Sequence, residues 1–310
     1  MIIDPSVYSK QQSFLEKAIK VSRISHAYLF SGPKGIGKKE IALWFAHKLN
    51  PEFETDLRQK YTNLILIEPE GENKQQAIIS IEQVLEIKKK LSLHSPEDNY
   101  RVVIIDQAQL MTTRAQNVLL KVLEEPYGKT VFILTADCSR KLLKTIYSRC
   151  QNVKFNLIAK EKIEQWLKKE KGLPLGKAEK IAWLSHGRWG EANDYLGSPS
   201  REEEDFLFFE KINNFCQSPL WERFEYEREF CSKRAKLIYF LEFYLSYLRD
   251  LILAKDNASA NSSQQFNREK PNYSWEQLGN LATLGQEILT LLTSTNINAR
   301  LALGQIIINL

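Results

Sequence analysis

YRVVIIDQAQLMTTRAQNVLLKVLEEPYGKTVFILTAD, residues 100–137, decides the fold of this chain, and TIYSRCQNVKF, residues 145–155, completes it. Val102 to Ile105 is wholly apolar and delivers an acid, Asp106, at its end; a helical stretch follows and stops at Glu125-Pro126, and Val131 to Leu134 is a second apolar run. Runs this short between turn signals read as buried parallel strands, and in open α/β sheets ligand chemistry gathers at the carboxyl ends of strands. Asp106 therefore stands where a nucleotide-bound metal is expected. Gln107 follows it, where a hydrolytic site wants a carboxylate.

Upstream, the apolar segment from His26 to Phe30 runs into SGPKGIGKK, residues 31–39. Glycines at Gly32, Gly35 and Gly37 let the backbone curl so that successive N–H groups face a phosphate, and a helix from Lys38 to Leu49 adds its positive end. Lys38 supplies the charge for the terminal phosphates. The P-loop pattern holds through Lys38 and fails at the next position, because Lys39 stands where a hydroxyl should hold magnesium, and an ammonium cannot ligate a metal. Strand before, helix after and Asp106 later support a P-loop over a mere glycine turn; whether it holds nucleotide stays open.

The remaining pattern alternates to Phe155. Ser9 to Ile19 reads as an amphipathic helix and Asn63 to Glu68 as a strand. Beyond the polar turn EPEGENKQQ, Ser80 is the N-cap of a helix to Leu91, with Ile81, Val84, Leu85, Ile87 and Leu91 on one face. SPEDN turns the chain into the Tyr100 strand. Strand and helix in alternation predict an α/β fold with a parallel sheet covered on both faces.

Past Phe155 the pattern becomes helical. Ile158 to Leu196 predicts three short helices broken at GLPLG and SHGRWG, and SPSREEE reads as a linker. From Asp205 to Leu310 the helices are rich in aromatics, as in LIYFLEFYLSYLRDLILAK at 237–255. These side chains serve either a core of their own or an oligomerisation surface.

With 310 residues, 43% hydrophobic and 26% charged, the chain has apolar surface for two or three domains. The net charge of +5 is small, and lysines alternate with glutamates in segments such as EKIEQWLKKEKG, as on a solvated helical face. MIIDPSVYSKQQ lacks the basic-then-apolar order of a signal peptide, so a cytoplasmic protein with no membrane partner is expected. Cys138, Cys150, Cys216 and Cys231 are widely spaced with no CxxC pair, which favours buried thiols over disulfides or zinc.

HAYLFSGPKGIGKKEIALWFA, ISIEQVLEIKKKLSL, NYRVVIIDQAQLMTTRAQNVLLKVLEEP, LLKTIYSRC and NINARLAL together resemble the bacterial clamp-loader AAA+ family, nearly end to end. LLKVLEEP and the SRC tripeptide, Ser148 to Cys150, are the specific elements; the P-loop alone is widely shared. The resemblance implies a P-loop AAA+ module over 1–156, a three-helix lid over 157–200 and an all-α collar over 201–310 through which subunits form a ring. It implies motor subunits of the gamma/tau kind and delta subunits as partners, with the sliding clamp and primer–template DNA reached through the complex. Arg149 would be the catalytic residue, offered in trans to a neighbour's ATP site.

The departures from the family's active motors are as informative. Where those carry Ser or Thr, Glu, a threonine-rich sensor and a lid arginine, this chain has Lys39, Gln107, roughly Ala136 and Gly190. A four-cysteine zinc module that many relatives carry between the positions of Leu49 and Leu64 is absent, so no metal is expected. A weakly held ATP or ADP is the one cofactor the loop leaves open. Three readings follow. The first is a non-hydrolysing clamp-loader subunit supplying Arg149 as an arginine finger, and the second an active ATPase motor tolerating Lys39 and Gln107. The third is a basic adaptor on primer–template DNA. Because SRC directly precedes the last strand, the Arg149 guanidinium is expected at the module's edge, away from its own P-loop; the plainer alternative is a surface ion pair.

Overall fold

The two apolar runs are neighbouring strands. The computed structural model describes residues 6–50, 63–71, 77–92, 99–256 and 273–310, and in it β3 (Arg101–Ile105) pairs in parallel with β4 (Thr130–Ala136) from Arg101↔Thr130 to Ile105↔Leu134. With β1 (Ala27–Ser31), β2 (Leu64–Ile67) and β5 (Gln151–Lys154) they form a five-stranded sheet in the order β2-β3-β4-β1-β5. Every pairing is parallel. The central strands are buried on both faces, which is why they lack the alternation of a half-exposed strand.

Each face has its own helical cover. Ala27, Leu29, Val103, Ile105, Phe132 and Leu134 face α3 (Ile81–Ser92), α4 (Thr113–Glu124) and α5 (Lys144–Arg149) in one continuous apolar cluster. On the opposite face Tyr28 meets Phe45 of α2 (Lys38–Leu49) edge-on at 5.2 Å, and α1 (Ser9–Lys20) lies against α2. Helix starts follow their caps. Ser80 and Gln83 exchange bonds as a capping box, and the Thr112 hydroxyl accepts from the Ala115 N–H.

Leu85 departs from the expected face of α3. Val84, Ile87 and Leu91 are buried while Leu85 is exposed, because it lies about 100° round the helix from Val84. The zinc-module region, most of the EPEGENKQQ and SPEDN turns and the polar stretch after Asp256 lie wholly or partly outside the described residues.

The chain divides into two units, Met1–Ser198 and Pro199–Leu310. The first includes α6 (Lys160–Lys171), α7 (Leu175–Leu184) and α8 (Trp189–Gly197), with breaks at the GLPLG and SHGRWG segments. The SPSREEE stretch, expected as a linker, is instead almost entirely the opening of α9 (Pro199–Gln217). Proline is suited to a first helical turn, where its missing N–H costs nothing. Asp205 anchors that helix by accepting from the Tyr239 hydroxyl.

In the second unit α9 is followed by α10 (Leu220–Phe230), α11 (Arg234–Asp256), α12 (Trp275–Ser294) and α13 (Ala299–Asn309). Its core is aromatic: Phe230 stacks on Phe240 at 4.4 Å, and Phe215 meets Phe240 edge-on at 5.3 Å. Most of the apolar residues of α11 are buried in this core, whereas Leu220 and Trp221 on α10 and Leu301 and Ile308 on α13 are exposed. Leu253 apart, the exposed large apolar side chains among the described residues of this unit are therefore on other helices than the aromatic run suggests.

All four cysteines are free; only Cys216 is buried, and Cys138, Cys150 and Cys231 are half-buried. No helix among the described residues is long and apolar enough to cross a membrane.

Candidate functional site

Parallel strands carry the P-loop and Asp106 to one edge of the sheet: the loop follows Ser31 at the end of β1, and Asp106 follows Ile105 at the end of β3. Gly37 is the N-cap of α2 with φ 85, a left-handed conformation that suits glycine and lets the chain turn from loop into helix. Lys38 is the first residue of α2 and is only 6% exposed. Its ammonium donates to Gly32 O at 2.9 Å, Pro33 O at 2.7 Å and Asp137 Oδ1 at 2.6 Å. A lysine has three N–H groups to give, and all have acceptors within the chain.

Asp137 directly follows β4 and had no role in the sequence reading. Its Oδ2 accepts from Gln109 Nε2 at 3.3 Å and its N–H donates to Gln109 Oε1 at 3.2 Å, so one amide holds it at both ends. A second network surrounds Asp106, whose Oδ1 accepts from the Thr135 hydroxyl at 2.6 Å. Thr135 in turn accepts from the Gln107 N–H at 2.9 Å. Gln107 sits at φ 51, a left-handed conformation costing about 1–2 kcal/mol for a side-chain-bearing residue. Ala136, expected near the sensor position, is buried within β4, and the polar work at that strand end falls to Thr135 and Asp137.

Lys39 pairs with Glu68 Oε1 at 2.6 Å. Burial lowers its pKa, but the Glu68 bond and charge, helped by Asp106 and Glu40, outweigh this and leave it above the ordinary lysine value. A permanently protonated ammonium stands where a magnesium ligand is needed, so this donor set does not fit a magnesium nucleotide. Among the described residues no group of three or more His, Cys, Asp and Glu is arranged to hold a metal.

Gly190 lies against the P-loop itself. A Cβ there would stand 2.7 Å from both Gly35 O and Gly37 N, and the next N–H, of Glu191, donates to Gly35 O at 3.0 Å. Trp189 covers Gly37 so closely that a Cβ on that glycine would meet its ring at 2.5 Å. Tyr8 locks the contact, its hydroxyl donating to Ile36 O at 3.1 Å and its ring lying edge-on to Trp189 at 6.3 Å. The start of α8 thus sits on the loop by a backbone contact that only a glycine at 190 permits.

Arg149 is elsewhere. It ends α5 just before β5, which pairs with β1 from Tyr28↔Gln151 to Ser31↔Lys154. The P-loop leaves β1 beyond Ser31, so Arg149 lies at the opposite end of these strands, about 10 Å of strand away at ~3.3 Å per residue. Its NH2 pairs with Glu124 Oε1 at 2.6 Å and its NH1 donates to Thr145 O at 3.2 Å. The surface ion pair is therefore present, and Arg149 is still 36% exposed. Cys150 beside it is no reactive thiol, since burial pushes its pKa up to about 12.

The family described as DNA polymerase III, delta subunit, matches residues 8–159. DNA polymerase III subunit tau of Bacillus subtilis is 33% identical over 162 residues, 48% of this chain and 28% of that protein. Subunit delta' of the same organism is 33% identical over 165 residues, 49% of each. The chain thus spans about half the length, or less, of these curated relatives. A crystal structure of a DNA polymerase III gamma subunit-related protein from Thermotoga maritima aligns with a TM-score of 0.54 at 20% identity, covering 95% of this chain and 97% of that one, which bears on the fold. The P-loop after β1, LLKVLEEP at the end of α4 and SRC at the end of α5 all lie within the matched segment, and with these matches residues 8–159 belong to the clamp-loader AAA+ family of bacterial DNA polymerase III.

Proposed function

We propose that this protein is a delta-prime-like subunit of the bacterial replicative clamp loader that does not hydrolyse ATP and supplies Arg149 to a neighbouring subunit's ATP site. The observation that carries the reading is the parallel register of β5 on β1, with Gln151 beside Tyr28, because it sets Arg149 at the far end of the sheet from its own P-loop. A planar, permanently charged guanidinium suits charge spreading over a transferring γ-phosphoryl, and a finger supplied in trans is worth on the order of 10³-fold or more in rate.

Similarity does not choose between this role and a motor, since the tau and delta' relatives are equally identical to the chain. Site chemistry supports the non-hydrolysing role. Lys38 is engaged by Gly32, Pro33 and Asp137, Lys39 replaces the metal-holding hydroxyl, and Gln107 lacks the carboxylate that orients water. The alternative of a basic DNA adaptor rests on a net charge of only +5.

In this reading 1–156 is the AAA+ module, 157–200 the lid and 201–310 the collar. The collar joins gamma/tau-type and delta-type subunits, and the complex brings the sliding clamp to primer–template DNA in the cytoplasm. Exposed Leu220, Trp221, Leu301 and Ile308 support assembly through the collar. The test is reconstitution with those subunits. The expected result is a complex whose DNA- and clamp-stimulated ATPase exceeds that of the same subunits without this chain, while the chain alone shows none. Turnover by the isolated chain that Lys38→Ala removes would contradict the reading.

A further inference from the structure

Arg149 and Glu124 face each other across two helices that the core holds rigidly. Glu124 is the last residue of α4, directly after Val122 and Leu123, both buried against the sheet, so its carboxylate stands on a fixed post. α4 also fixes the base of α5: Gln116 Oε1 accepts from the Leu143 N–H at 2.8 Å, and Ile146 of α5 is buried in the same apolar cluster. A long side chain half-exposed at a helix end keeps most of its rotamers unless something holds its tip. Here two different nitrogens are held, NH2 by Glu124 and NH1 by Thr145 O, and two such bonds define the plane of the guanidinium. Of its five N–H groups three stay free for another ligand.

We infer that Glu124 is a positioning residue for Arg149, setting the guanidinium in the orientation in which it meets the neighbouring subunit's γ-phosphoryl. The inference rests on the trans-acting reading of Arg149 proposed above. Glu124 touches no reacting atom; it acts by removing rotamers that point elsewhere, as a supporting shell does for any preorganised group. It also links α4, which begins near the Asp106 edge of the sheet, to the finger at the opposite edge.

A double-mutant cycle in the reconstituted complex, with magnesium ATP, primed DNA and sliding clamp, tests this. Glu124→Ala should lower stimulated turnover by up to about fivefold with KM for ATP unchanged, the range open to an exposed ion pair. Glu124→Gln, whose amide oxygen still accepts the bond, should retain most of the rate. In an Arg149→Ala background the Glu124→Ala change should be silent, because a residue acting only through the guanidinium has nothing left to act on. Equal losses in both backgrounds would make Glu124 a structural residue and overturn the inference, as would unchanged or raised turnover on Glu124→Ala alone. Full turnover by the single Arg149→Ala complex would instead defeat the underlying reading, and is seen before Glu124 is altered.

Discussion

The Lys38 ammonium and the Asp137 carboxylate stand 2.6 Å apart although 99 positions separate them in sequence. The pair ties the P-loop to the end of β4 and occupies the charge that a motor subunit directs at phosphate. Because Lys38 is 6% exposed and Asp137 26%, removing either partner strands a largely desolvated charge. Asp137→Ala should destabilise the protein by about 3 kcal/mol in urea unfolding, and Lys38→Met together with Asp137→Leu should cost less than Asp137→Ala alone. A double variant as unstable as the sum of both singles would show that the pair is not the unit.

Gly190→Arg installs the residue that the resemblance to motor subunits leads one to expect at this position. Its Cβ would stand 2.7 Å from the Gly35 carbonyl and the Gly37 nitrogen, so α8 must lift from the loop. A loss of about 1–3 kcal/mol is expected, as for other overpacked contacts, together with faster hydrogen exchange at the Glu191 amide that donates to Gly35. Unchanged exchange at Glu191 would show that the close approach is not what holds α8.

Glu40, in the first turn of α2, gives a pH dependence with a definite sign. Burial pushes its carboxyl above the ordinary value; a backbone bond opposes this, and Asp194 and Asp106 add to the rise. The folded state then holds the proton more tightly than the unfolded one. Between the ordinary and the raised pKa it binds more protons, so this residue's contribution to stability falls as pH rises through that window and stays lost above it. Glu40→Gln should therefore gain stability relative to wild type from the acid range to neutrality. A difference that is flat across that range would remove the argument.

The division between Ser198 and Pro199 permits a clean cut. A chain ending at Ser198 should remain folded, with the near-ultraviolet signature of its buried Trp166 and Trp189, and should fail to enter the complex with gamma/tau- and delta-type subunits. Entry of the shortened chain would place assembly outside the helical second unit.

Local patterns carried much of this to the surface of the sequence. The apolar runs of β3 and β4, the glycine curl into α2 and the Ser80 cap are decided by residues a few positions apart, and all form where their periodicity places them. Leu85 shows the limit of counting apolar residues, since the stripe of Val84, Ile87 and Leu91 fixes the buried face and leaves it outside. SPSREEE looked like a linker by composition, but Pro199 is a helix starter and Asp205 has its partner, Tyr239, on another helix.

In the sequence the site is legible as departures from expected motifs, and its side-chain partners are not. Lys39, Gln107 and Gly190 stand out in the sequence because a motif names what should be there. No motif names Asp137, Gln109, Thr135 or Glu124, whose partners are brought to them by strand order and helix packing. Gly190 illustrates both: in the sequence it stands where the resemblance leads one to expect an arginine, and in the fold it is the space that lets Glu191 reach the Gly35 carbonyl.

The central claim is that Arg149 works in a neighbour's site, and the most direct test is the DNA- and clamp-stimulated ATPase of the complex assembled with Arg149→Ala. Folding and assembly should persist, since the pair with Glu124 is exposed and worth at most about 1 kcal/mol. Turnover should fall, by as much as the order of 10³-fold at the one site this chain serves, and Arg149→Lys should restore little because an ammonium keeps the charge but loses the fork. A fully assembled Arg149→Ala complex that hydrolyses ATP and loads clamps at the wild-type rate would contradict the account and leave this chain a scaffold.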